Sequence, residues 1–203
     1  MKAEHDLRVL KTREHIKEGF SLCVMQKTFR AVTIKDISSA ARVNRSTFYT
    51  YYSDKYELRD ELVQSTLEEL NSTIHLPMFT FATQNSQLTH TLITQHLMYL
   101  WSQKDWYQVL WNKNMELCVF NEMKSLLEEK IRKSLDQGNR GEILERTELL
   151  ARLYASTAMS TLKWWYEISP TTSAAEVADI INDHWKLGMQ RTFFRADDTL
   201  KTS

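Results

Sequence analysis

The apolar positions in the first third of the chain fall on helical spacings. Ile16, Phe20, Cys23 and Val24 follow one another at intervals of 4, 3 and 1, one face of a helix predicted from about Leu7 to Lys27. Thr33-Ile34-Lys35-Asp36 has the capping-box form: the Thr33 hydroxyl can accept from a free backbone N–H while the Asp36 carboxylate reaches back. A short second helix should then run to about Ala41. Arg42-Val43-Asn44 reads as a turn, with Asn44 as N-cap of a third short helix from Arg45 to about Tyr51. Ser53 or Asp54 should cap a long fourth helix that buries Leu58, Leu62, Val63, Leu67, Leu70 and Ile74 and is closed by Pro77.

Beyond it, the uncharged residues 78–86 read as a loop. Helical spacing resumes over about Gln87–Gln103 and in a short segment around Asp105–Trp111. A long helix, roughly Met115–Asp136, should turn Val119, Met123, Leu126, Leu127 and Ile131 inward. Gly138-Asn139-Arg140-Gly141 is a loop by composition. A helix over about Glu142–Tyr166 ends at Ser169-Pro170, and a last one covers about Ser173–Phe194. Strand-period alternation and internal repeats are absent from the sequence, so an all-α chain is expected.

Composition changes this picture little. An apolar content of 42% supports a real core, and only 4 glycines and 2 prolines argue against a turn-rich β protein. Cys23 and Cys118 stand too far apart for a CxxC site or a readable disulfide framework, and each reads as a small buried hydrophobe. The start, Met1-Lys2-Ala3-Glu4-His5-Asp6, has no apolar signal core, and no run of 18 apolar residues follows. A cytoplasmic protein without a membrane segment is the expectation. Charge is more telling. Residues 1–60 carry 12 Lys+Arg against 8 Asp+Glu, leaving 14 against 18 for residues 61–203. A basic head on an acidic body suits a polyanion at the N-terminus.

Catalysis has nothing to stand on. The six histidines form no HExxH or paired arrangement, and neither a Gly-rich phosphate loop nor a nucleophile elbow is present in the sequence. No metal, no cofactor and no enzyme activity are expected.

Two short capped helices joined by a tight turn outline a helix-turn-helix, which presents its second helix to the DNA major groove. In Arg45-Ser46-Thr47-Phe48-Tyr49-Thr50-Tyr51-Tyr52, Phe48 and Tyr52 share one side, assigned to the core. Arg45, Ser46, Thr47, Tyr49 and Thr50 occupy the rest, with the donors and flat surfaces that base edges and phosphates require. Arg45 can clamp a guanine, Thr47 can touch a thymine methyl, and Tyr49 can reach a phosphate.

The stretch from Thr33 to Leu58, TIKDISSAARVNRSTFYTYYSDKYEL, resembles the signature of the TetR/AcrR family of transcriptional regulators. Ile16, Phe20 and Phe29 sit where that family places its first-helix core and the aromatic before the second helix. The resemblance covers about residues 12–60. It implies a TetR-like, all-α fold: an N-terminal three-helix DNA-binding domain, residues 1–60, then a helical effector-binding and dimerisation domain, residues 61–203, with the fourth helix, about 54–75, as connector. It also implies that Thr33 touches a phosphate, Lys35 approaches the DNA, Asn44, Arg45, Ser46, Thr47, Tyr49, Thr50 and Tyr51 form the reading surface, and Lys55 binds the DNA backbone. Two departures stand out. The family has glycine in the turn where Arg42 stands and at the end of the first helix where Thr28 stands. A slightly altered turn is expected, with Arg42 adding a phosphate contact.

In the C-terminal part, Trp101, Trp106, Trp111, Met115, Trp164 and Trp165 either line an effector pocket or are ordinary core. Ala151, Ala155 and Ala158, with Val177, Ile180, Ile181, His184 and Leu187, offer a face for a second copy. The expected function is a DNA-binding regulator, a repressor, that binds a palindromic double-stranded operator as a homodimer and responds to a small-molecule effector of unknown identity. The alternative is the same DNA head on a body that binds a protein partner and no small molecule.

Overall fold

The computed structural model describes the backbone of residues 2–79, 86–138 and 144–193, and the side chains of 7–79, 87–136 and 147–185. Among the described residues every regular element is helical. These are α1 Lys2–Gln26, α2 Ile34–Ala40, α3 Arg45–Tyr51, α4 Lys55–Thr73, α5 Ser86–Ser102, α6 Lys104–Leu110, α7 Val119–Gly138, α8 Leu144–Glu167 and α9 Ala174–Phe193. Single 3-10 turns lie at Phe29–Ala31, Leu76–Phe79 and Lys113–Met115. The fold is all-α. Residues 80–85 of the expected 78–86 loop, and Asn139, Arg140 and Gly141 of the second loop, lie outside the described residues. Met78 and Phe79 are buried in a turn rather than looped out.

The chain divides into two compact units, Met1–Glu69 with Asp105–Phe120, and Leu70–Lys104 with Asn121–Ser203. The sequence reading placed everything after residue 60 in one body. Residues 105–120 instead join the N-terminal unit, because Tyr107, Leu110 and Met115 are fully buried and Asn114 Nδ2 donates to the Val24 carbonyl at 2.9 Å. That bond satisfies one of the carbonyls that the end of α1 leaves open.

In the first unit, Ile16, Phe20 and Val24 of α1 are fully buried, as are Ile37 of α2, Phe48 of α3 and Leu58 of α4. Each such side chain contributes about 1.5–3 kcal/mol when taken out of water. Phe20 meets Phe29 edge-on at 6.2 Å. Gly19 is where α1 and α2 touch: a Cβ there would stand 2.7 Å from the Ala41 amide nitrogen and 2.8 Å from the Ile37 carbonyl. Trp106 Nε1 donates to Thr66 Oγ1 at 2.9 Å, and the Lys17 ammonium lies 4.5 Å above the Trp106 ring.

Two expectations fail here for local reasons. The helix predicted from Met115 begins only at Val119, because Glu116 takes a left-handed conformation (φ 56°) after the 3-10 turn that Asn112 caps. Cys118 is exposed, while Cys23 is buried as expected.

In the second unit α5 packs on α9 and α9 on α8. Ser173 and Glu176 form a reciprocal cap at the start of α9, with bonds of 2.8–3.2 Å. Trp165 Nε1 donates to the Thr172 carbonyl at 2.8 Å, and Tyr166 Oη donates to the Leu100 carbonyl at 2.5 Å. His90 Nε2 lies 3.0 Å from Asp179 Oδ1, joining α5 to α9. Leu67, Leu126 and Leu127, expected inside, are only half-buried.

Candidate nucleic-acid interface

α2 begins with the capping box that the sequence announces. Thr33 Oγ1 accepts from the Asp36 amide at 3.2 Å, and the Thr33 amide and hydroxyl donate to Asp36 Oδ2 at 2.8 and 2.7 Å. Lys27 Nζ reaches the same carboxylate oxygen at 2.7 Å. The Lys27 ammonium, then the Thr33 hydroxyl and amide, hold the Asp36 carboxyl far below the usual carboxylate range. The Thr33 hydroxyl hydrogen is thus engaged within the chain, where it shapes the start of α2.

α2 ends in a paired-bond turn. The Val43 amide donates to the Ser38 carbonyl at 2.9 Å and the Arg42 amide to the Ser39 carbonyl at 3.2 Å, the Schellman pattern. It requires a left-handed residue between, and Arg42 supplies it at φ 56°. The turn is therefore a regular Schellman turn and not the altered one that the missing glycine predicts; Arg42 adopts the left-handed conformation at a cost of ~1–2 kcal/mol. Thr28 sits at φ −59° and needs no glycine. Asn44 stands at the N-cap of α3, yet its side chain makes no capping bond.

On α3, Phe48 and Tyr52 close the core. Arg45, Ser46, Tyr49 and Thr50 are exposed, and Thr47 and Tyr51 are half-buried. Arg42, Asn44 and Lys35 are exposed beside them. Thr50 Oγ1 donates back to the Ser46 carbonyl at 3.1 Å, which leaves the hydroxyl oxygen only as an acceptor.

Lys55 has its partners within the chain. Its ammonium donates to the carbonyls of Phe29, Arg30 and Val32 at 2.8, 3.0 and 2.7 Å, which uses all three of its hydrogens. Asp54 Oδ1 takes the amides of Tyr56 and Glu57 at 2.8 Å each. A phosphate at this helix start would meet a carboxylate and an engaged ammonium. Sequence reasoning saw the lysine but not the carbonyls, which the turn at Phe29–Ala31 brings together.

The residues of the expected effector pocket divide between the two units. Trp106, Trp111 and Met115 belong to the first unit, Trp101, Trp164 and Trp165 to the second. Trp101 and Trp165 stack at 4.4 Å, Trp111 meets Phe120 at 5.2 Å, and Met115 is fully buried. The second unit instead holds a cavity of about 60 Å³, walled by Ile74, Met78 and Phe79, by Ile93, His96 and Leu97 of α5, by Leu127 of α7, by α8 and by Ile181 and Trp185 of α9. None of the six expected residues lines it. Of the expected dimer face, Ala151, Ala155, Val177 and Ile181 are buried at 0–3% exposure within the chain's own helix packing, and Ala158 borders the cavity. The side chain of Leu187 lies outside the described residues. Ile180 and His184 of α9 are exposed, as are Leu149 and Leu153 of α8, and Thr157 Oγ1 lies 3.3 Å from His184 Nε2.

A capped helix, a left-handed turn and a second helix with an outward polar face define a helix-turn-helix protein. Residues 23–62 match the family of bacterial regulatory proteins, tetR family. The match takes in the end of α1, the helix-turn-helix and the start of α4, and over these residues the chain is similar to the DNA-binding domain of that family. A curated relative, the uncharacterized HTH-type transcriptional regulator YxbF of Bacillus subtilis (strain 168), is 33% identical over 66 residues, 32% of this chain but only 17% of the relative's length. Among solved structures, the TetR transcriptional regulator from Streptococcus agalactiae 2603V is similar with a TM-score of 0.59 and 20% identity over 91% of this chain and 99% of that one. The dihydroxyacetone kinase operon activator DhaS is similar with a TM-score of 0.57 and 16% identity over 89% and 97%. These likenesses carry the fold. No described helix is long and apolar enough to cross a membrane.

Proposed function

We propose that the chain represses transcription by binding a palindromic operator as a homodimer and that a small molecule in its second unit changes this binding. The observation that carries the reading is the outward face of α3, where Arg45, Ser46, Tyr49 and Thr50 stand exposed while Phe48 fixes the helix from behind. Arg45 and Thr47 occupy the first turn, where side chains reach base edges, and Arg42 and Lys35 flank it for phosphates. One such head contacts too few base pairs for an operator. Two heads related by a two-fold axis read half-sites about one helical turn apart. The exposed Leu149, Leu153 and Ile180 of α8 and α9 supply an apolar surface for that pairing. Occupancy of a promoter by the dimer is enough to repress and needs no further contact surface.

The test is binding to an operator selected from random DNA. Arg45→Ala and Thr47→Ala should each cost ~1–3 kcal/mol on that operator and leave non-specific binding unchanged. Equal loss on both kinds of DNA would place the reading surface elsewhere.

A further inference from the structure

The cavity of the second unit has a chemistry of its own. Met78, Phe79, Leu97, Met159, Leu162 and Trp185 are among its walls, and no charged side chain lines it. Into this apolar setting His96 brings Nδ1, which has neither solvent contact nor a hydrogen-bond partner among the described residues. Burial, with the nearby His75 as the lesser cause, pulls the His96 pKa down to about 4, so the ring is neutral at physiological pH. A buried nitrogen without a partner works against the fold, and a ligand that supplies the partner recovers that loss.

We propose that this cavity binds a small uncharged molecule, mostly hydrocarbon, whose hydroxyl pairs with His96 Nδ1. The inference deepens the effector reading given above and rests on it for its regulatory consequence. A carboxylate or ammonium would lose its hydration here with no counter-charge to meet it. A hydroxyl suits a neutral imidazole better than a carbonyl or an amine cation does. It both donates and accepts, so it pairs with Nδ1 in either tautomer. The volume of about 60 Å³ sets the size. A dry cavity of ~150 Å³ admits benzene, so this one suits roughly two or three non-hydrogen atoms.

The full chain, labelled with nitrogen-15 in histidine, is titrated with ethanol and with its hydroxyl-free counterpart chloroethane, following the His96 ring nitrogens. The expected result is a saturable shift with ethanol and a dissociation constant about fivefold lower than for chloroethane, the worth of one net hydrogen bond. His96→Leu should bring the two constants together. Ala158→Leu, which fills the cavity, should abolish both while a thermal melt shows the protein folded. Equal constants in the wild type, or shifts that never saturate, overturn the assignment whatever the variants do. Operator affinity measured at saturating ethanol separates the two readings. Saturation with the hydroxyl preference but unchanged operator affinity supports the cavity assignment and removes the effector role. Intact operator binding without saturation removes the cavity assignment alone.

Discussion

Lys55 Nζ lies 2.7 Å from the carbonyl oxygen of Val32, a residue 23 positions earlier in the chain. With the bonds to Phe29 and Arg30 it ties the start of α4 to the turn that precedes α2. The ammonium also lies 4.8 Å from the Phe29 ring centroid.

Lys55→Met should therefore lower stability by about 1.5–3 kcal/mol, the worth of charge-assisted hydrogen bonds to the main chain. The salt dependence of DNA binding, measured well below the melting temperature, should keep its slope. A slope reduced by about 1 with stability unchanged would return Lys55 to the DNA backbone.

Arg42 gives two effects of opposite sign. Arg42→Gly removes the cost of a left-handed side chain, ~1–2 kcal/mol, against an entropy penalty of ~0.5–1 kcal/mol for glycine. Urea unfolding should show a gain of about 0.5–1 kcal/mol. If the guanidinium meets a phosphate, the same variant should bind DNA more weakly and lose about one unit of salt slope.

Asp36 sets an acid limit. Its carboxyl is held below its unfolded value near 3.9 by Lys27 first and Thr33 next. A depressed carboxyl stabilises fully above the unfolded pKa, and this contribution fades as pH falls below it. Asp36→Asn should melt below the wild type at pH 7, with the gap narrowing between about pH 4 and pH 2. A gap that stays constant over that range would mean the carboxylate charge is not what stabilises the cap.

The pairing surface is tested by two glutamates. Leu153 is 52% exposed, so Leu153→Glu should leave the fold intact and yield monomers by light scattering, with operator binding lost. Ile181 is only 3% exposed, so Ile181→Glu should unfold the second unit instead. Folded Leu153→Glu dimers would move the interface off this face.

How far the sequence revealed these features depended on how local each was. The Thr33–Asp36 box spans four residues and was legible, and so was the outward face of α3, since helical spacing alone separates Phe48 from Tyr49. The left-handed Glu116 carries no sequence mark, so α7 was begun too early. Ala151 and Ala155 are a different case. Periodicity shows that they share a face, but the same stripe serves a helix of the same chain or of a second copy. Gly19 offered a signal that went unused: a glycine inside a helical pattern costs stability unless something must come close.

The division of the tryptophans between the two units has an optical consequence. Trp106 and Trp111 sit in the first unit, and Trp101, Trp164, Trp165 and Trp185 in the second. A variant that keeps only Trp106, whose indole N–H is bound to Thr66, would emit from the DNA-reading unit alone. One that keeps only Trp185, at the cavity wall, would emit from the other. Each half of the molecule thus carries its own intrinsic dye, and unfolding of the two can be timed separately in a single chain.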